Sequence, residues 1–301
     1  MTTRYDVIVP QMGGMSRAAT FAAIVGLFAL TGCASKPHPS PPSGAARGAG
    51  GFAQVDPRAP GFANMPYEPL SRQSVVGIAL REWRLFGRPV DDDPPGTRPP
   101  ALPDEKPERW PGLWQRVGEY WWLGVDPNDK EAAWTGKHDE YGVEFPANED
   151  GHYAWSAAFV SYVMRIAGAG PRFPYSRTHA DYINTAAEMA QGRTSGWVVA
   201  AERPEGYAPS PGDLICMGRG WAARLRYDDL PTQDFPGHCD FVVEVTPGSL
   251  TVIGGNVDDA VTMKHVPTTP DGKLAGPDGV VIDTRYPWLV VLRVLYNGPV
   301  S

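Results

Sequence analysis

The spacing of apolar residues changes along the chain from a helical period to short strand-like runs. Residues 71–86 and 113–125 carry apolar side chains every three or four positions, which predicts two amphipathic helices. A mostly apolar third helix is predicted from position 156 to the glycines near 168–170, which end it. A fourth helix is predicted over 178–191, with Ser176 as a favourable capping residue.

Strand signals replace the helical pattern after residue 210. Pro211-Gly212-Asp213 marks a turn, and Thr246-Pro247-Gly248-Ser249 predicts a hairpin. The four predicted strands are short apolar runs at 214–217, 241–245, 250–253 and 288–295. Because helices come first and an antiparallel sheet follows them, the predicted fold class is α+β.

The N-terminal region has the layout of a bacterial export signal. The apolar run 18–30 follows Arg17 and matches a signal-peptide core, since it is shorter than the roughly 20 residues that span a bilayer. Leu30-Thr31-Gly32-Cys33 comes next and resembles the lipobox of bacterial lipoproteins, which implies a lipid anchor on Cys33. Ala34 in place of an aspartate implies the outer membrane, facing the periplasm. The alternative is a buried core helix that ends in an incidental cysteine.

Composition divides the chain into four predicted parts. Residues 1–33 are the signal peptide, and 34–66 form a tether rich in Pro, Gly and Ala that buries too little apolar surface to fold. A helical N-terminal extension is predicted over 67–136, and the domain that carries the chemistry over 137–301. The formal charge of −7 comes with no basic stripe, which argues against nucleic acid as a partner.

Four short motifs in the second half of the chain occur in a recognisable order. They are Trp155-Ser156-Ala157-Ala158-Phe159, Pro211-Gly212-Asp213-Leu214, Gly237-His238-Cys239-Asp240-Phe241 and Gly254-Gly255-Asn256. This set resembles the CHAP-type amidases and peptidases, which are papain-like hydrolases of the bacterial cell wall. Together with His179-Ala180-Asp181-Tyr182 it looks closest to the bacterial family known as domain of unknown function 2272. The resemblance implies a papain-like domain in which helices pack on a small antiparallel sheet.

The same resemblance implies a catalytic set with two departures. Ser156 stands where the hydrolases have a nucleophilic cysteine, and Gly254 stands where they have an acidic residue. What remains is a Ser-His-Asn arrangement, in which Ser156 attacks, His238 acts as base and then as acid, and Asn256 orients the imidazole. The alternatives are plain structural roles: a small packing serine, a buried histidine, and an asparagine in a left-handed turn.

Four further residues are candidates for supporting roles. Tyr153 is expected to assist the oxyanion hole. Asp240 or Asp258 is expected to supply the missing carboxylate, and Asp240 shares a face with His238 because residues two apart on a strand point the same way. His179 is expected at the cleft rim or in a structural role. A metal site formed by His238, Asp240 and His179 matches no familiar zinc spacing, and neither a metal nor a cofactor is predicted.

Cys216 and Cys239 are a candidate disulfide. They fall on two predicted strands, and export implies an oxidising compartment in which they can pair if those strands are neighbours. A nucleophilic Cys239 beside His238 is the rival interpretation. It is weaker, because adjacent residues on a strand point to opposite faces.

These features together predict an outer-membrane lipoprotein that acts on peptidoglycan. The predicted activity is cleavage of an amide bond in the peptide stem by a serine-variant papain-like domain. The first alternative is a pseudoenzyme that keeps the cleft and binds peptidoglycan or an envelope protein partner. The second is a purely structural lipoprotein, and the sequence makes no prediction of an oligomeric state.

Overall fold

The structure of the protein is a computed structural model that describes residues 69–97 and 99–296. The predicted signal peptide, the lipidation residue Cys33 and the tether over 34–66 lie outside the described residues. Within the described ranges, no helix has both the length and the apolar character needed to cross a membrane.

All four predicted helices are present. They are α1 (Arg72–Leu85), α2 (Leu113–Gly124), α3 (Ser156–Ile166) and α4 (His179–Ala190). The helices α2 and α3 begin at the predicted residues, and the other ends lie one to four residues from the predicted ones. The Ser71 hydroxyl caps α1 by accepting a hydrogen bond from the backbone N–H of Ser74 at 3.1 Å. The residue that caps α4 is Thr178, and not Ser176 as predicted, because Ser176 lies two residues earlier and accepts from the Thr178 N–H.

The α-helices are joined by irregular segments that contain short 3-10 helices. Those before the sheet are Pro107–Arg109, Lys130–Ala133, Ala147–Tyr153 and Gly170–Arg172, and those within the sheet region are Gly220–Arg224 and Tyr227–Asp229.

A six-stranded antiparallel sheet follows the helices, which confirms the α+β class. Its strands are β1 (Val199–Glu202), β2 (Leu214–Gly218), β3 (Gly237–Thr246), β4 (Ser249–Val257), β5 (Ala260–Pro267) and β6 (Trp288–Val294), in the spatial order β1-β6-β2-β3-β4-β5. The sequence predicted neither edge strand. β1 is four residues long with two alanines, and β5 places a buried lysine, Lys264, where an apolar residue is expected.

The sheet has a hydrophobic cluster on each face. Leu214 and Cys216 of β2 belong to the cluster shared with the helices, whereas Ile215 and Met217 belong to a second cluster on the other side. This alternation follows from the two-residue period of a strand. β2 and β3 are neighbours, and Cys216 lies directly opposite Cys239, with which it forms a disulfide. The disulfide excludes Cys239 as a free nucleophile.

The helical N-terminal segment shares its core with the rest of the described chain. One hydrophobic cluster contains residues of α1 and α2 as well as of α3 and the sheet. Of the neighbouring tryptophans in α2, Trp121 is buried in this cluster and Trp122 is exposed. The core is therefore continuous across the predicted boundary at 136/137.

A buried ion pair ties the first three helices together. Glu82 of α1 has no exposed surface and accepts two hydrogen bonds from Arg116 of α2, at 2.6 and 2.7 Å. Tyr120 of α2 donates to the same carboxylate at 2.7 Å, and Tyr162 of α3 lies 3.4 Å from its other oxygen. A buried carboxylate needs such partners, because burial without them costs several kcal/mol.

Arg116→Met is expected to lower the free energy of unfolding by about 3–5 kcal/mol, since it leaves the Glu82 carboxylate buried without its counter-ion. The measurement is denaturant unfolding followed by circular dichroism. Arg81→Met is the matched control, because Arg81 is exposed and lies 3.9 Å from the same carboxylate. Equal stabilities of the two variants would contradict the structural role of the pair.

Candidate functional site

A cavity of about 1300 Å³ lies beside the starts of α3 and α4. Ser156, His179 and Asn256 line it, together with the guanidinium-bearing Arg219. The other parts of its wall come from residues 91, 93–97, 99–101, 103, 106, 147–148, 150–151, 154, 177–178, 234–237 and 258–259. Two of the residues named from the sequence as catalytic, Ser156 and Asn256, therefore face the same space.

One wall of the cavity is the proline-rich connection between α1 and α2. Asp92 fastens this connection to β5, because its carboxylate accepts from the backbone N–H of His265 at 2.7 Å and lies 2.8 Å from the His265 ring. Arg285 donates to the backbone carbonyl of Asp92 at 2.7 Å. The connection is thus held on the sheet, and its neighbouring residues Asp91 and Asp93 line the cavity.

The hydroxyl of Ser156 is hydrogen-bonded to His179 and not to His238. Ser156 is the first residue of α3, and its Oγ lies 2.7 Å from Nε2 of His179, the first residue of α4. Both side chains are buried. The histidine expected at the cleft rim is therefore the one that contacts the serine.

His179 is held from its other side by a tyrosine. The Tyr182 hydroxyl contacts Nδ1 of His179, because residues three apart on a helix share a face. Burial lowers the pKa of His179 well below its usual value, and the neighbouring His238 lowers it further. His179 is accordingly neutral at neutral pH, and one of its two ring nitrogens carries a free lone pair.

His238 takes part in a different, fully buried set of charges. Its Nε2 lies 3.0 Å from Oδ1 of Asp240, and the other oxygen of Asp240 lies 2.7 Å from the Lys264 ammonium. Burial alone would raise the pKa of Asp240, but the charge of Lys264 and the hydrogen bonds from His238 and Lys264 outweigh it and hold that pKa below its usual range. Burial lowers the pKa of His238 itself. The predicted pairing of His238 with Asp240 is present, whereas the predicted use of His238 as the base next to Ser156 has no hydrogen bond to support it.

The packing around Asp240 explains why position 254 is a glycine. It lies on β4 beside Asp240, and a Cβ at this position would lie 1.9 Å from Oδ1 of Asp240 and 2.9 Å from Nε2 of His238. The space that an acidic side chain at 254 would need is thus filled by the carboxylate of Asp240. The departure from the hydrolase pattern at 254 is matched by an acid on the neighbouring strand.

Two other predicted residues lie apart from the serine. Asn256 lines the cavity but has a left-handed backbone, with φ of 56°, and within the described chain its side chain hydrogen-bonds neither histidine. The left-handed conformation that the sequence left open is present, but it lies within β4, where the pairing with β5 shifts register between Gly254 and Val257, and not in a turn. The Tyr153 ring stacks on Phe145 with centroids 3.8 Å apart, and it does not line the cavity. The structure thus gives Tyr153 a packing contact with Phe145, and its expected role beside an oxyanion stays a prediction.

A second buried carboxyl group fixes the residue before Ser156. Glu108 accepts a hydrogen bond from the indole N–H of Trp155, and burial, with the charge of Asp259 added, raises the pKa of Glu108 to about 8. Oxygens of Glu108, Asp150 and Asp259 lie within 4.8 Å of one another, which suits a metal ion. The Lys106 ammonium, however, lies 2.7 Å from Asp150 and 3.1 Å from Asp259, and Arg109 lies 3.0 Å from Asp150, so two cations already pair with these carboxylates.

The start of α3 offers hydrogen-bond donors to a ligand. Trp155 is the N-cap residue and makes no side-chain capping bond, so the first backbone N–H groups of the helix keep their hydrogen-bonding capacity. The positive end of the helix dipole lies at the same place. Together with the neutral His179, these groups can hold a carbonyl oxygen and the negative charge that develops on it.

Sequence reasoning missed two residues of this site and underestimated a third. His179 is expected from the sequence only in a minor role, although the His-x-x-Tyr spacing on a predicted helix places it on one face with Tyr182. Lys264 lies in a strand that the sequence did not predict. Glu108 lies in an irregular segment, where no local pattern indicates burial.

The fold and the site define an α+β protein with a buried serine-histidine pair on the wall of a large cavity. The chain belongs to the family described as "Uncharacterized protein conserved in bacteria (DUF2272)", whose model matches residues 108–294. No curated protein and no solved structure matches the chain.

Gly254→Ala is expected to lower the free energy of unfolding by about 1–3 kcal/mol and to move the NMR signals of the His238 ring, because the added methyl group displaces the Asp240 carboxylate. Gly77→Ala is the matched control. Gly77 is exposed within α1 with no atom within 4 Å of the added Cβ, so this change is expected to stabilise by about 0.5–1 kcal/mol. Unaltered stability and unmoved His238 signals in Gly254→Ala would contradict the close packing at this position.

Proposed function

We propose that this protein is a cell-envelope hydrolase that cleaves an amide bond in peptidoglycan peptides, with Ser156 as nucleophile and His179 as its base. The observation that carries the proposal is the 2.7 Å contact between Ser156 Oγ and His179 Nε2 on the cavity wall. Nucleophile and base must lie within this reach for proton transfer. His179 replaces His238 in the role that the sequence pattern had suggested.

The proposed reaction follows the usual course of acyl transfer. Ser156 Oγ attacks the carbonyl carbon of the amide while its proton passes to Nε2 of His179. The backbone N–H groups at the start of α3 stabilise the oxyanion. His179 then gives the proton to the departing amine, and water, activated by the same nitrogen, hydrolyses the acyl-serine ester.

The proposal also includes a papain-like arrangement and an envelope location. A nucleophile at the first residue of a buried helix that packs on an antiparallel sheet is the arrangement that the motifs resemble. The lipobox-like sequence at Cys33 and the disulfide between Cys216 and Cys239 both suit an exported protein. A cavity of this size accommodates a branched peptide rather than a small metabolite.

Ser156→Ala is expected to reduce the release of peptide fragments from purified sacculi roughly a thousandfold or more, because no other group replaces the nucleophile. The fragments are measured by chromatography with mass detection. Ser161→Ala is the matched control: Ser161 lies on the same helix, but its hydroxyl bonds to the backbone of Ser176. Equal fragment release by Ser156→Ala and the wild type would remove Ser156 from the mechanism.

Ser156→Cys gives an independent test of the same site. A thiol at a helix N-terminus beside an imidazole ionises more readily than a free thiol, so this variant is expected to react with iodoacetamide faster than an unperturbed thiol at pH 7. Iodoacetamide labelling of the introduced thiol at only the rate of an unperturbed thiol would contradict an activating environment.

A binding protein without turnover is the second candidate function. It is favoured by one observation: Nδ1 of His179 contacts the neutral Tyr182 hydroxyl, and the carboxylate of Asp240 is bonded to the other histidine. An imidazolium on His179 therefore lacks a direct counter-ion. Wild-type protein that pellets with sacculi, releases no fragments and resists a fluorophosphonate probe would select this function.

The lipid anchor is tested separately. Cys33→Ser is expected to abolish labelling of the full-length protein by a radioactive or clickable fatty acid in growing bacteria, because the thiol is the proposed acceptor. The variant should also leave the membrane fraction. Undiminished labelling would assign the lipid to another residue or would rule out lipoprotein processing at this site.

A further inference from the structure

The serine, the histidine and the tyrosine form a short buried chain of hydrogen bonds. Ser156 is 5% exposed, His179 4% and Tyr182 0%, and the chain has two links, from Ser156 to Nε2 and from Nδ1 to the Tyr182 hydroxyl. Within the described residues, the Tyr182 hydroxyl has no other hydrogen-bond partner. The neutral chain has three polar hydrogen atoms: one on the Ser156 hydroxyl, one on the imidazole of His179 and one on the Tyr182 hydroxyl. Only two of them can lie within the two hydrogen bonds, so the third must find another acceptor.

Two arrangements are possible, and they differ in what they leave unpaired. In the first, Ser156 donates to Nε2 and Nδ1–H donates to the tyrosine oxygen, so the hydrogen of the Tyr182 hydroxyl is buried without an acceptor. In the second, Tyr182 donates to Nδ1 and Nε2–H donates to Ser156. The hydrogen of the Ser156 hydroxyl then faces the cavity, where water or a ligand can accept it. Only the second arrangement pairs every buried donor.

We propose that Tyr182 is a positioning residue that holds His179 in the Nε2–H tautomer. In the free protein Ser156 is then a hydrogen-bond acceptor towards His179 and a donor towards the cavity. The preference is of the order of tenfold or more, which corresponds to the cost of leaving a buried hydroxyl hydrogen unpaired. The charge state agrees with this arrangement, because burial keeps His179 neutral.

The tautomer has a consequence for the rate, which rests on the proposed hydrolysis. A base must offer a free lone pair to the Ser156 hydroxyl, and Nε2 has one only in the minor tautomer. Relative to equal populations, a tenfold preference thus lowers the population of the reactive form about fivefold, from one half to about one eleventh. Removing the Tyr182 hydroxyl leaves Nδ1 without a partner in either tautomer, which makes the two populations similar.

The test is nitrogen-15 NMR of the wild-type protein with labelled histidine, because the shifts of the two ring nitrogens distinguish the protonated from the unprotonated one. The signal of His179 is assigned by its loss in His179→Gln. The expected result is a protonated Nε2 and an unprotonated Nδ1. A protonated Nδ1 would overturn the proposal, and this measurement needs no variant of Tyr182 to fold.

Tyr182→Phe tests the same proposal from the opposite direction. The expected results are a His179 tautomer ratio near one and fluorophosphonate labelling of Ser156 at least about fivefold faster than in the wild type, whereas a purely structural tyrosine would leave the rate unchanged or lower it. Tyr296→Phe is the matched control, because it removes a hydroxyl that bonds to the backbone of Gly212. A folded Tyr182→Phe protein with the wild-type tautomer ratio would overturn the proposal.

The tautomer ratio and the labelling rate test this inference and the proposed function separately. If the ratio shifts as expected while neither protein is labelled, the tautomer assignment stands and the proposed hydrolysis fails. If both proteins are labelled at one rate and their tautomer ratios agree, hydrolysis stands and the positioning role of Tyr182 is rejected.

Discussion

The charge of Asp240 is the constraint on which the arrangement of the site depends. This carboxylate has no exposed surface, and a buried charge is tolerated only when it is paired. The Lys264 ammonium on β5 supplies the counter-charge, and His238, two residues along the same strand, binds the other oxygen. β4 lies between these strands and must carry glycine at 254 to leave room for the carboxylate. One buried acid therefore determines which residues can occupy single positions on the three neighbouring strands β3, β4 and β5.

The same constraint determines which of the two histidines is hydrogen-bonded to Ser156. His238 is bonded to Asp240, so it has no bond to Ser156. The rings of His238 and His179 are in contact, with centroids 5.4 Å apart, and His179 reaches the hydroxyl. On the other side of Ser156, the buried Glu108 holds the indole of Trp155. The position of the serine is thus fixed between two buried carboxyl groups, neither of which contacts it directly.

Much of the fold could be predicted from local patterns, whereas the pairing within the site could not. Helical spacing identifies α1 to α4, since an amphipathic period is a property of a single segment. The strand β5 has a buried lysine, and its burial is explained only by Asp240 on β3, two strands away in the sheet. Likewise, a histidine motif at the start of a strand indicates a buried imidazole, but it cannot tell whether a serine or a carboxylate will be its partner. Such choices depend on contacts between distant segments.

Asp240 and Ser156 bind different histidines, and this separation affects the charge of His179. Asp240 acts on His179 only through space, where its charge favours an imidazolium, while burial, His238 and Arg219 oppose it. The opposing effects prevail, so the resting pair is neutral. An oxyanion formed beside Ser156 would add a negative charge next to His179, which changes this balance in favour of a proton on the imidazole. In the proposed hydrolysis, charge separation at this site would therefore become favourable only with the carbonyl group in place, which is the condition under which a site stabilises a transition state more than its ground state.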